Sequence, residues 1–242
     1  MSWQKESILV LVEAAPNWSD KYGSYLVCTG GITKSNQWRR LYPMPLDSIA
    51  GKIHRWDTIE VNTTEPEHDP RSESRKIDPS SIVISGSFSK DREDRRVLLN
   101  KLAEKSLDVA IGERRSIILI KPGIVDFHIV ERRDKPVQLT LNGKVFKEQP
   151  YRDVGLYYRW NCTERCHVCS RHPHHMECFD WGAGVLWSRY KADRKVAEEK
   201  INEMCYDNMK EKFDAWFALG THSRRPFSKW MVVSLFWMKK AS

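Results

Sequence analysis

The first residues hold no basic segment followed by a long apolar run and a small-residue cleavage site, so no signal peptide is expected. The longest apolar stretches, Ile8 to Val12 and Trp230 to Trp237, are strand-length and too short to span a bilayer. No membrane role is expected, and with reduced thiols the protein is placed in the cytoplasm. The chain has no Walker-type glycine loop, no G-x-S-x-G and no H-E-x-x-H. Three common routes to hydrolysis therefore lack their signature. No solenoid-like period or low-complexity tract is visible either.

What is present is a concentration of metal-ligating side chains. Cys162, Cys166, Cys169 and Cys178 stand close together, with His167, His172, His174 and His175 among them. Four of the six cysteines and four of the eight histidines thus share one short segment. Thiolates and imidazoles at such spacings can close a tetrahedral shell around Zn2+. Cys166-x2-Cys169 is the tight-turn half of the site. The expected ligands are Cys162, Cys166, Cys169 and His174, with His172, His175 and Cys178 as alternatives for the fourth place. Structural zinc sites are closed, and these spare donors favour a closed, structural site.

Hydrophobic residues make up 40% and charged residues 30% of the chain, the balance of a soluble globular protein. The net charge of +8 points to an acidic partner, and nucleic acid is the first candidate. Trp38-Arg39-Arg40-Leu41-Tyr42 sharpens this. Strand alternation puts Trp38, Arg40 and Tyr42 on one face, where rings could stack on bases and a guanidinium could meet phosphate. Arginine pairs recur at Arg39-Arg40, Arg114-Arg115, Arg132-Arg133 and Arg224-Arg225, a pattern suited to phosphate contact. The candidate nucleic-acid-binding residues are Trp38, Arg39, Arg40, Tyr42, Arg224 and Arg225.

Short β-branched runs dominate the first 75 residues: Ile8 to Val12, Tyr22 to Thr29, Gln37 to Tyr42 and Trp56 to Asn62. Four or five short strands with long loops suit a small barrel. A charged connector follows from Thr63 to Lys76. A second β unit, 76–150, opens with a strand at Ser81 to Phe88 and holds one helix, Asp91 to Ser106, with Asp91 as its N-cap. Three strands follow, at Ser116 to Ile120, Ile124 to Val130 and Val137 to Leu141. Asn142-Gly143 signals a hairpin into Lys144 to Lys147. Residues 151–242 comprise a strand at Leu156 to Trp160, the zinc segment, one long helix from Val185 to Met209, and a closing strand pair, Phe213 to Leu219 with Trp230 to Trp237. Cys205 lies on the apolar face of that helix and reads as core.

Carboxylates near the cysteine segment offer a different chemistry. Asp180, with Asp193, Glu198 and Glu199, could bind Mg2+ in a nuclease. Asp180 could instead orient a metal-bound imidazole or cap the helix that follows it. A protein–protein adaptor, with the ten tryptophans marking an interface, is a further alternative.

Ile8-Leu9-Val10-Leu11-Val12, Tyr25-Leu26-Val27-Cys28-Thr29-Gly30-Gly31 and Trp38-Arg39-Arg40-Leu41-Tyr42-Pro43 resemble the opening of dual OB-fold proteins of prokaryotic conflict and defence systems. Asp69-Pro70-Arg71-x-Glu73-Ser74 and Lys121-Pro122-x3-Asp126-Phe127 extend the resemblance over residues 8–130. The cysteine cluster with His174-x-Met176-x3-Asp180-Trp181 resembles a zinc-knuckle-plus-helix tail of prokaryotic relatives. The resemblance implies two adjacent OB-like barrels, with Trp38, Arg40 and Tyr42 on a strand lining a binding face. The helix at Asp91 to Ser106 departs from a minimal five-stranded barrel. The expected architecture is a β-rich α+β chain, with two OB-like units and a zinc-binding α+β module. The expected function is nucleic-acid binding, as an accessory or sensor in antiviral defence or a mobile-element system, with other defence-system proteins as possible partners and without catalysis of its own.

Overall fold

β1 (Gln4–Glu13) buries Ile8 and Val10 in one core and Leu11 and Val12 in another, and it organises the first half of the computed structural model. The structure describes residues 2–49, 52–132, 153–222 and 225–240. A small hairpin, β2 (Asn17–Ser19) with β3 (Ser24–Leu26), leads to β4 (Thr29–Thr33) and β5 (Trp38–Tyr42). After the short α1 (Leu46–Ile49) come β6 (Asp57–Thr64) and β7 (Ser74–Ile77). β1, β4, β5, β7 and β6 pair in that order, and β6 pairs back to β1. The five strands therefore close into a barrel. Numbered along the barrel, they run 1-2-3-5-4-1, with the third and fifth parallel, as in an OB-type barrel. Ile8, Val10, Leu41, Met44, Ile59, Val61 and Ile77 fill it.

Closure needs one glycine in particular. A Cβ on Gly31 would sit 2.1 Å from the Leu9 carbonyl oxygen, a distance no side chain tolerates. It lies opposite Val10, where β1 bulges against β4.

β8 (Val83–Ser87) pairs with β6 and so extends the barrel sheet instead of opening a second unit. The connector expected at Thr63 to Lys76 contains β7, whose Ser74 and Ile77 point inward while Arg75 and Lys76 do not. A charged four-residue strand leaves little apolar pattern to read. The segment expected as one strand at Tyr22 to Thr29 is divided between β3 and β4.

α2 (Arg92–Leu102) starts where expected, with the Asp91 carboxylate accepting from Glu93 and Asp94 backbone N–H groups. Beyond it lie β9 (Ala103–Glu104), α3 (Leu107–Gly112), β10 (Ile117–Ile120), β11 (Gly123–Glu131), β12 (Val154–Asn161) and β13 (His174–Cys178). Then come α4 (Trp181–Tyr190), α5 (Arg194–Asn202), α6 (Asn208–Glu211), β14 (Phe213–His222) and β15 (Arg225–Lys239). The expected strand Val137 to Leu141 and the Asn142-Gly143 hairpin lie outside the described residues.

β11, β12, β13, β15, β14, β10 and β9 form one seven-stranded sheet. Strands from 76–150 and from 151–242 thus share a single sheet, and the zinc segment is the β12–β13 connection within it. The helix expected from Val185 to Met209 is broken. Asp193 ends the first piece and caps the next, accepting from Val196 N–H, which a polar residue in a helical pattern does when its side chain competes for backbone. A π-helical turn, Glu203–Asp207, adds a second irregularity. Cys205 is buried there, as a core residue.

β14 shows how the two halves join. Ala215, Phe217 and Leu219 face the core under α4, α5 and α6. Trp216 and Ala218 face the other way, against Val12, Ile32 and Trp38 of the barrel. The period of two along a strand serves both cores. Gly30 permits the approach, since a Cβ there would meet Ile117 Cδ1 at 2.9 Å.

Candidate metal centre

β12 delivers Cys162 from its C-terminal end, and β13 begins at His174. Between them the chain folds into a compact turn. Ser170 N–H donates to the Cys166 carbonyl at 3.0 Å, and His172 N–H to that of Val168 at 3.3 Å. α3 anchors this loop from outside. The Asp108 carboxylate accepts from His167 N–H at 2.7 Å, and the Lys105 carbonyl from Glu164 N–H at 3.2 Å.

Inside the loop, Cys162, Cys166, Cys169 and His174 bring their Sγ and ring nitrogen atoms within 4.8 Å of one another. His174 Nε2 is 3.4 Å from both Cys162 Sγ and Cys166 Sγ. A tetrahedral ion with Zn–S of ~2.3 Å and Zn–N of ~2.0–2.1 Å would set sulfur and nitrogen about 3.5 Å apart. The donor set therefore has the dimensions of a closed site made of three sulfurs and one nitrogen. Leu107 N–H points at Cys162 Sγ at 3.3 Å, and Cys162 N–H at Cys169 Sγ at 3.4 Å. Such donors stabilise thiolate charge. Trp160 lies across the His174 ring, with centroids 4.3 Å apart.

Electrostatics favour an ion here. Burial raises the Cys162 and Cys169 thiols, backbone N–H groups of Leu107 and Cys162 pull the other way, and the nearby Cys166 thiol raises both. Burial lowers His174. The imidazole is thereby kept neutral and ligand-ready, while three close thiolates need a cation to share them.

Alternation on β13 selects the fourth ligand. His174, Met176 and Cys178 face inward, while His175 is exposed on the opposite face. His172 is exposed in the loop, and Cys178 is buried further along the strand. Among the described residues, no other group of three or more His, Cys, Asp or Glu is arranged to hold an ion.

Asp180, Asp193 and Glu198, three of the four carboxylates that could bind Mg2+, have other partners, and Glu199 is exposed on α5. Asp180 is 3% exposed. Its Oδ1 accepts from Ala183 N–H at 2.8 Å, capping α4. Its Oδ2 accepts from Leu235 N–H at 2.9 Å and from Arg55 at 3.2 Å. Asp193 caps α5, and Glu198 pairs with Arg194. Asp180 therefore holds a helix start and does not touch the metal ligands.

On the strand Trp38–Tyr42, the face expected to bind is covered at Trp38 and Arg40 and open only at Tyr42. Trp38 is packed against Trp216 and neighbouring side chains of the second sheet. Arg40 is 7% exposed. Its Nη1 donates to the Ser116 carbonyl at 2.8 Å, and its Nη2 to that of Thr221 at 3.1 Å. Arg39 pairs with Glu6 at 2.8 Å. Tyr42 is exposed, with the Tyr22 ring against it at 5.6 Å. Arg225 is exposed. Arg224 lies outside the described residues.

Ligand spacing alone does not single out the side chains between the metal ligands. Arg165, His167, Arg171 and His172 are all exposed on the loop. Among the described residues, neither Arg165 nor Arg171 has a carboxylate partner. Their basic character was visible in the sequence, and the signal that joins them is the metal turn that displays them together.

Comparison with known proteins gives two family matches. Residues 4–101, covering the barrel, β8 and most of α2, match a family described as a domain of unknown function, DUF8758. Residues 114–242, from just before β10 to the end, match one described as a domain of unknown function, DUF8757. No curated protein matches the chain. Among solved structures, a murine DNA binding protein bound with double-stranded DNA is 10% identical, with 100% of each chain covered and a TM-score of 0.34. The Ifi202 HINa domain in complex with 20-bp double-stranded DNA is 12% identical over 98% of this chain and 97% of that one, with a TM-score of 0.35. Superpositions this loose transfer no property to the present chain. The second family match spans more than half of the sequence, and the chain belongs to the DUF8757 family.

Proposed function

We propose that this protein binds nucleic acid through a basic loop held in shape by a structural Zn2+. The observation that carries the reading is the loop itself. Arg165 and Arg171 are exposed on a turn that carries Cys162, Cys166, Cys169 and His174; they line one recess with Asp108, and neither is ion-paired among the described residues. Preorganised, unpaired guanidinium groups suit phosphate, which they can contact with two parallel hydrogen bonds. The net charge of +8 supplies long-range attraction of the same sign. Zinc is the ion that best suits three thiolates and one imidazole in a closed tetrahedron.

Tyr42 extends the reading to the barrel. With Tyr22 it forms an exposed aromatic pair beside Lys21, able to stack on an unpaired base. On the resemblance over residues 8–130, such a binder serves as an accessory or sensor in a prokaryotic defence or mobile-element system.

The test is an electrophoretic shift panel over single- and double-stranded DNA and RNA, with and without Mg2+. Retarded, uncut probe supports the reading. Absence of any shift at low salt contradicts it, and Mg2+-dependent cleavage would make the protein a nuclease.

A further inference from the structure

On the outer face of the second sheet, away from the Cys–His cluster, two more imidazoles meet. His128 on β11 and His175 on β13 bring their Nε2 atoms to 3.1 Å. β12 runs between them. Tyr157 stands opposite His128 in register, and Arg159 opposite His175. The Tyr157 ring packs on both imidazoles, with centroids 5.5 Å and 5.2 Å away. The imidazoles are 5.0 Å apart and nearly parallel, at 27°. Three rings on three adjacent strands thus brace one another.

We propose that His128 and His175 form a second, open site for a divalent transition ion of the class bound by imidazole: zinc, nickel or copper. The separation carries the argument. Two ring nitrogens, each ~2.0–2.1 Å from one ion, stand about 2.9 Å apart at a right angle and about 3.4 Å apart at a tetrahedral angle. The observed 3.1 Å lies between these limits. An ion would enter with little movement of either ring, because the sheet and Tyr157 already hold them.

The surroundings define the class of ion. Arg159 is exposed on this face, and Glu177 is taken by Arg132. Asp126 accepts from Phe127 N–H. No third ligand of the His, Cys, Asp or Glu type joins the pair among the described residues. Hard ions such as Mg2+ or Ca2+, which need several oxygen ligands, are therefore not served. A borderline ion that bonds well to imidazole is, with the remaining positions left to water. Because β13 alternates, His174 and His175 belong to two different sites, one closed and buried, the other open and exposed.

The test uses full-length protein with its thiolate site loaded with zinc, titrated with Ni2+ alone by calorimetry. The proposal predicts one Ni2+ per chain beyond the zinc. His128→Ala and His175→Ala should each weaken it by more than about tenfold, since changes beyond the ligand sphere already cost that much. Zinc content should stay the same in both variants, which separates loss of the open site from damage to the closed one. His128→Gln should behave like His128→Ala, and Tyr157→Phe should keep the ion. Absence of Ni2+ binding in the wild type, or binding unchanged by both His→Ala variants, would show that the pair is only hydrogen-bonded. Loss of Ni2+ in a His167→Ala/His172→Ala variant would place the ion on the loop and equally overturn the proposal.

Discussion

Arg40 Nη1 donates to the Ser116 carbonyl across 2.8 Å, from a barrel strand to the start of the second sheet. The contact is returned. Glu73, next to the barrel's last strand, accepts from Ser116 N–H at 2.8 Å and from its hydroxyl at 2.9 Å. Arg71 adds a bond to the Thr221 carbonyl, which Arg40 also reaches. Burial lowers the Arg40 pKa, yet nearby Glu73 and Asp69 support its charge. The face that could line a binding groove in an isolated barrel is here the joint between two halves.

Arg40→Ala should therefore act on stability. It removes one hydrogen bond from each of the Ser116 and Thr221 carbonyls, which keep Thr221 N–H and Arg71 as donors, and it takes away the charge that Glu73 and Asp69 compensate. A loss of about 2–4 kcal/mol is expected in urea unfolding. Nucleic-acid affinity of the folded fraction should be unchanged. A variant of normal stability that binds weakly would return Arg40 to the binding surface.

Cys166→Ser should give insoluble protein or protein without metal, since the shell exists only in the folded chain and its binding energy is folding energy. Elemental analysis of wild-type protein should show close to one zinc per chain in the closed site. A value under about a tenth of an equivalent would contradict a structural ion.

Asp180→Asn should lower stability by about 1–2 kcal/mol, the worth of a charged hydrogen bond. The amide keeps an acceptor for Ala183 N–H but loses the charge that Arg55 meets. Zinc content and nucleic-acid binding should be retained. Normal stability with loss of a Mg2+-dependent cleavage would instead make Asp180 catalytic.

Local features of this fold were legible in the sequence. The Asp91 cap depends on residues two and three positions on, and the Cys–His cluster on ligands within one loop. The barrel strands are readable because β1 carries a continuous apolar run, Ile8 to Val12, and β6 alternates cleanly. Long-range relations were not legible. Arg40 meets Ser116 and Thr221 at separations of 76 and 181 residues. Alternation shows that Trp38 and Arg40 share a face with Tyr42, and it is silent on what covers that face. His128 and His175 meet only because β12 lies between their strands, a register that no local pattern encodes. The break at Asp193 carries neither Pro nor Gly, and its one local mark is Asp itself, an N-cap residue.

The most direct measurement is the salt dependence of nucleic-acid binding, by fluorescence anisotropy, for wild type and an Arg165→Ala/Arg171→Ala variant. Each phosphate contact contributes about 0.7 to the slope of log K against log salt on single strands and about 0.9 on duplex DNA. The account predicts a folded, zinc-loaded variant that binds more weakly and whose slope is shallower by about 1.4–1.8. Equal affinity and equal slope in the two proteins would contradict it.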